Sequence, residues 1–187
     1  GAPMIAFAVP VGNLALVLKN IIGDPEKKRK LSNLLRDVLP FIEDFSVEKF
    51  MDMSLVLTLR ERYAKNHDLP SPSLSEGTMT IFALIIALYF EEKPFIIIEE
   101  PVSHIHPFLV ARVIAMMKES SKRKQVMITT HTTEVVKHAS IENLLLISRD
   151  SEGFSVISRP ADKEEVRTFL ENEIGIEELY VQNLLGL

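Results

Sequence analysis

Two carboxylates stand side by side at Glu99 and Glu100, after the apolar run Phe95-Ile96-Ile97-Ile98 and before Pro101. Such a run suits a strand buried on both faces, and the C-terminal edge of a parallel sheet is where loops and helix N-termini gather a ligand. Adjacent carboxylates there repel each other and lose hydration, costs that a divalent cation or a polarised water offsets. One carboxylate could then hold Mg2+, directly or through water, while its neighbour orients an attacking water. In the plainer reading both glutamates emerge into solvent as the strand ends. This segment alone does not choose between the two.

A second apolar run, Val126-Met127-Ile128, ends in the same manner, on Thr129-Thr130-His131-Thr132. If the two strands are neighbours joined by a right-handed crossover, His131 shares a sheet edge with Glu99 and Glu100. Its imidazole could there meet a phosphate or the attacking water. Otherwise Thr130 or Thr132 is the N-cap of a following helix and His131 a bystander. A third element is Ser73-Leu74-Ser75-Glu76-Gly77-Thr78, leading into a strongly apolar helix. Ser73 and Glu76 have capping-box spacing. A helix N-terminus with small residues also offers free N–H groups and a positive dipole end to an anion, and Gly77 permits close backbone approach.

The elements that must carry these residues alternate. Helices are expected over Asn13 to Ile22 and Pro25 to Leu39, the second stopped by Pro40. Phe45 to Glu48 and Met53 to Leu59 read as strands, and Tyr63 to Pro72 as a loop or edge. Thereafter a helix (Glu76 to Phe90), a strand (Phe95 to Ile98), a helix (Pro107 to Ser120) and a strand (Gln125 to Thr130) follow in turn. A short helix after Thr132, a third strand near Leu144 to Ile147 and an edge strand at Val156-Ile157 come next. The last helices lie between Lys163 and Leu185, interrupted at Gly175. Short apolar strands alternating with helices predict an α/β fold with a mainly parallel sheet flanked by helices.

Composition narrows the class. The chain has 187 residues, 47% hydrophobic and 25% charged, which suits one domain or one large lobe of a soluble globular protein. It has no cysteine, so disulfides and thiolate metal sites are excluded, in keeping with a cytoplasmic location. A net charge of −5 gives no global pull toward nucleic acid or anionic membrane. Two basic runs, Lys27-Lys28-Arg29-Lys30 and Lys122-Arg123-Lys124, are expected to be solvated helix ends. No secretory signal is visible, and Gly1-Ala2-Pro3 ahead of Met4 reads as a leftover of expression. The longest apolar stretch, Met79 to Phe90, is broken only by Thr80 and is too short to span a bilayer, so it reads as a buried helix.

Taken together, these segments resemble a known family. Ser73-Leu74-Ser75-Glu76-Gly77-Thr78 resembles the signature motif of ABC-type ATPases, in the form typical of the OLD and RecF-like branch related to the SMC proteins. Ile96-Ile97-Ile98-Glu99-Glu100-Pro101 is similar to their Walker B strand. Val102-Ser103-His104-Ile105-His106-Pro107 resembles the D-loop that follows, and Ile128-Thr129-Thr130-His131 the switch-histidine strand. All four occur in family order, over about 73–150. Gly12-Asn13-Leu14-Ala15-Leu16-Val17-Leu18 is more loosely similar to an upstream segment of the branch.

The resemblance implies a P-loop NTPase fold of ABC ATPase type, with ATP and Mg2+ as cofactors. It divides the chain into a helical and β subdomain, 4–72, and an ATPase core lobe, 73–187. It assigns Glu99 to the Mg2+-associated position, Glu100 to the catalytic general base and His131 to the switch histidine. Ser75, Glu76 and Gly77 would face the γ-phosphate of a nucleotide held by the opposite subunit, with Ser103, His104 and His106 on the D-loop at that interface. Two departures stand out: Glu99 replaces the usual Asp, and Val102-Ser103 replaces Glu-Asn.

A P-loop needs Gly-x-x-x-x-Gly-Lys-Ser/Thr, and none of the seven glycines is followed by Lys-Ser or Lys-Thr. The expectation is therefore the C-terminal lobe of an ATPase whose Walker A lobe precedes it or is supplied separately. Such a lobe would self-associate, bind nucleotide weakly and be inactive alone. Once complete, the ATPase would drive conformational work on DNA or a partner protein, away from the membrane. A different class also fits some of the residues: a metal-dependent hydrolase with Glu99, Glu100, His104, His106 and His131 as candidate zinc or manganese ligands. A non-catalytic interaction module that kept only the fold is the third possibility.

Overall fold

The computed structural model of the chain describes residues 11–49, 54–63, 67–171 and 174–185. The expected leftover Gly1-Ala2-Pro3 and the expected first strand residue Met53 lie outside the described residues. The chain divides into two units, Gly1–Thr130 and His131–Leu187.

The first unit begins with two helices whose limits follow from their caps. Helix α1 (Val11–Ile22) buries Leu14, Ala15, Leu18 and Ile21, a stripe at helical spacing. Helix α2 (Pro25–Val38) starts where Asp24 accepts hydrogen bonds from the Glu26 and Lys27 N–H groups at 2.9 and 3.3 Å, with Pro25 at the first helical position. It buries Leu31, Leu35 and Val38. An antiparallel sheet follows, with strands β1 (Ile42–Lys49), β2 (Leu55–Glu61) and β3 (Asp68–Pro70) in that order. Leu57 and Leu59 are buried in the core. Thr58, between them, is also buried, its hydroxyl 2.6 Å from that of Ser46 across the β1–β2 ladder. The stretch expected as a loop or edge supplies β3, held to β2 by Arg60 donating to both Asp68 carboxylate oxygens at 2.8 and 3.1 Å.

Helix α3 (Glu76–Tyr89) is apolar on nearly all sides, and Ile81, Phe82, Leu84, Ile85, Ile86, Ala87 and Leu88 are all buried. Phe82 meets Phe45 of β1 edge to face, with ring centroids 5.6 Å apart. Strand β4 (Phe95–Glu99), helix α4 (Pro107–Ser121) and strand β5 (Gln125–Thr129) complete the unit. The two strands pair in parallel from Phe95 opposite Gln125 to Glu99 opposite Thr129. Parallel strands need a crossover of this length, and α4 provides it. Ser120 of α4, fully buried, donates to the Leu88 carbonyl at 2.9 Å and ties the crossover to α3.

The second unit contains α5 (Thr133–His138), the strands β6 (Leu146–Arg149) and β7 (Ser155–Ser158), and the helices α6 (Glu164–Glu171) and α7 (Ile176–Val181). Its core gathers Val166, Leu179 and Leu185. The α/β class and the parallel pairing of the central strands match the sequence. The third strand does not join the parallel set: β6 pairs antiparallel with β7. A five-residue turn connects them, too short for a parallel crossover, and Gly153 there takes a φ of +88°. Among the described residues, no helix is long and apolar enough to cross a membrane.

The two basic runs are not simply solvated. Lys30 donates to the Tyr89 carbonyl at 3.2 Å and lies over the Phe90 ring, while Lys124 donates to the carbonyls of Ala87 and Glu91. Arg123 stacks over the Tyr89 ring. Cations from two distant segments thus meet the carbonyl end of α3, where the helix dipole favours positive charge. Burial, and then Arg123 beside it, hold the Lys124 ammonium below the ordinary lysine range.

Candidate functional site

The ends of β4 and β5 set the geometry. Even-numbered positions of the pair turn inward: Ile96 is buried, and Ile98, Val126 and Ile128 are partly so. Odd-numbered positions open outward at the end of the strands, where Glu99 and its partner Thr129 are both exposed. Glu99 thus ends the strand as an accessible hard oxygen donor.

Glu100 breaks the pattern. Its φ is +44°, a left-handed conformation that non-glycine residues rarely adopt and that costs about 1–3 kcal/mol. Two backbone hydrogen bonds hold it there. The Glu100 N–H donates to the Thr129 carbonyl at 2.9 Å, and its own carbonyl accepts from the Ser103 N–H at 3.2 Å. The tight turn that follows is anchored from inside by Pro101, Val102 and Ile105, all buried. Val102, half of the Val102-Ser103 departure from the D-loop pattern, is therefore a core residue here. The half-buried Glu100 carboxylate is met by the Thr130 hydroxyl, which donates to Oε2 at 3.1 Å.

The start of α3 lies against this turn. A side-chain carbon on Gly77 would fall 2.3 Å from the His104 carbonyl oxygen, so only glycine fits the contact as it stands. His104 Nε2 sits 3.2 Å from a Glu76 carboxylate oxygen, and its Nδ1 lies 3.2 Å from the Ser103 hydroxyl. Glu76, Gly77, Ser103 and His104 are thus brought together. The expected capping box between Ser73 and Glu76 is displaced. Ser73 belongs to a one-turn 3-10 helix, Ser71–Ser73, and Leu74 is extended after it. The cap of α3 is Ser75, whose hydroxyl accepts from the Thr78 N–H at 3.2 Å and lies 2.9 Å from the Thr78 hydroxyl.

His106 also has a local role, with Nδ1 accepting from the Phe108 N–H at 3.2 Å as the N-cap of α4 ahead of Pro107. Among the described residues, no three histidines, aspartates or glutamates converge as a metal cage. The reading in which Glu99, Glu100, His104 and His106 ligate zinc therefore has no geometric support. One carboxylate such as Glu99 still suits Mg2+, which keeps several waters and takes its other ligands from phosphates. His131 follows Thr130 directly and opens the second unit, with its side chain exposed. Thr132 is the N-cap position of α5. Thr130 does not cap that helix; its bond to Glu100 is a contact that spacing alone did not single out.

A family described as "AAA domain, putative AbiEii toxin, Type IV TA system" matches residues 17–137. No curated protein matches the chain. Among solved structures, one from a study of ATP-driven dimerization and DNA-stimulated activation of SMC ATPases is similar at 18% identity and a TM-score of 0.53, over 83% of this chain and 98% of that one. An Smc head bound to the C-terminal winged-helix domain of ScpA is similar at 19% identity and a TM-score of 0.58, over 82% of this chain and 52% of that one. A Pyrococcus furiosus Smc head with an extended coiled coil, bound to the C-terminal domain of ScpA, is similar at 21% identity and a TM-score of 0.55, over 79% and 40%. The chain thus spans about half or less of the two longer relatives.

Proposed function

The chain belongs to the AAA-domain family matched over residues 17–137, and from that premise we propose that it carries the signature and acidic half of an ATP-hydrolysing site of the OLD and RecF-like kind. In this reading Glu100 is the general base that orients the attacking water, and Glu99 is the acidic group facing Mg2+. The metal, when bound, neutralises charge on the transferring phosphate. Ser75, Glu76 and Gly77, at the N-terminus of α3, present N–H groups and a positive dipole to the γ-phosphate of a nucleotide on a second subunit. Ser103 and His104 lie at that interface, and His131 contacts the phosphate or the water.

The observation that carries the reading is the packing of Gly77 onto the His104 carbonyl in the turn after Glu100. It joins the signature segment and the candidate base in one piece of structure. The assembly is argued from the relatives: SMC ATPases undergo ATP-driven dimerization, and an Smc head binds the C-terminal winged-helix domain of ScpA. By analogy this chain acts as a dimer in the cytoplasm, with DNA or a partner protein as the object of its work.

The sequence has no P-loop, so the chain alone is expected to show no appreciable ATP turnover and only weak Mg-ATP binding. Joined to a P-loop lobe, it should hydrolyse ATP, and Glu100→Gln should cut turnover by roughly 10²–10⁴-fold while nucleotide still binds. Turnover untouched by Glu100→Gln would leave a non-catalytic module as the better reading. Light scattering at micromolar concentration should show a dimer or larger assembly, and a clean monomer would count against self-association.

A further inference from the structure

We propose that Thr130 is a positioning residue for Glu100, holding its carboxylate in the direction that base catalysis needs; this rests on the reading of Glu100 as the base. The backbone at Glu100 is fixed by its left-handed φ, by the bond to the Thr129 carbonyl and by the turn closed at Ser103. None of these acts on the side chain itself. The Thr130 hydroxyl does, donating to Oε2 at 3.1 Å.

Thr130 suits this task. It lies one residue past β5, whose register with β4 runs over five paired positions, so its backbone stands at a defined place beside Glu100. Both residues are half-buried, which limits competition from water. A β-branched side chain has few rotamers, so the hydroxyl is delivered in a restricted direction.

The test compares Thr130→Val with Thr130→Ser in the chain joined to a P-loop lobe. Valine keeps the shape and removes the hydroxyl; serine keeps the hydroxyl and removes a methyl. Thr130→Val should lower kcat by about ten- to a hundredfold with KM for ATP unchanged, as expected for a misaligned group. Thr130→Ser should recover most of the loss. If the residue serves only packing, the order reverses, with valine harmless and serine worse; that result overturns the proposal.

A second measurement on the chain alone keeps the two readings apart. The ¹³C signal of the Glu100 side-chain carboxylate should move in Thr130→Val and stay near its original position in Thr130→Ser. No movement in Thr130→Val overturns the hydrogen bond whatever the enzyme does. Movement together with a joined enzyme that never turns over ATP defeats the ATPase reading instead.

Discussion

The β4–β5 pair and the β6–β7 pair are both short and apolar, yet they have opposite surroundings. In the first, Ile96 is 2% exposed, and the strands run parallel, joined by α4. In the second, Ile147 and Ile157 face each other across the ladder at 65% and 66% exposure. The first pair ends in carboxylates and hydroxyls held by a buried turn. The second closes on itself, as Asp150 Oδ1 accepts from the Glu152 and Phe154 N–H groups at 2.9 Å each. A hairpin uses up the polar groups at its turn. Parallel strands end side by side, leaving their terminal residues available for chemistry.

That contrast can be broken by mutation. Ile96→Ala should cost roughly 2–5 kcal/mol, read from the chemical denaturation midpoint, because it leaves a cavity beneath the acidic strand. Ile157→Ala, by comparison, should change stability by no more than about 0.5 kcal/mol, as at other exposed positions. A large loss there would show that the hairpin face is covered in solution. Gly77→Ala should cost about 1–3 kcal/mol, since a methyl group cannot share space with the His104 carbonyl without backbone movement. Ser120→Ala tests the support behind the parallel pair; loss of its bond to the Leu88 carbonyl should cost about 1 kcal/mol.

The smallest effect belongs to the exposed Arg60–Asp68 pair on β2 and β3, outside both regions. The hydrogen bond from Arg60 holds the Asp68 carboxyl below its ordinary range. The folded chain therefore releases that proton more readily than the unfolded one. The contribution is present above the ordinary aspartate value of about 4 and fades as pH falls through the lower folded value. Asp68→Asn should remove this part of the acid dependence in pH-resolved melting and barely move the midpoint at neutral pH.

Local rules made much of the fold legible. Pro25 marked the start of α2, and the run Phe95 to Ile98 marked β4. The candidate site was legible as a set of segments in order, because spacing along the chain survives translation into strand ends and helix starts. What sequence hid is long-range. Lys30 and Lys124 approach the same helix end from opposite sides of it in the chain, which no local window reveals. Glu100 takes a conformation that its residue type disfavours, and Thr130 looked like a cap because caps and carboxylate partners use the same hydroxyl. The capping-box spacing of Ser73 and Glu76 misled because Ser73 belongs to a 3-10 turn and Leu74 is extended after it, so that Ser75, next to Glu76, is the cap.

Helix α3 has a consequence in time as well as in space. It is held by groups that precede it, such as Phe45 against Phe82, and by groups that follow it, such as Ser120, whose hydroxyl donates to the Leu88 carbonyl. No contiguous stretch of chain can bury it alone, so it cannot open without releasing both neighbours. Its amide hydrogens should exchange with solvent only when the whole first unit unfolds, at the free energy of unfolding that unit. The slowest amides of the unit should therefore map to Ile81 through Leu88, at the centre of its cooperativity.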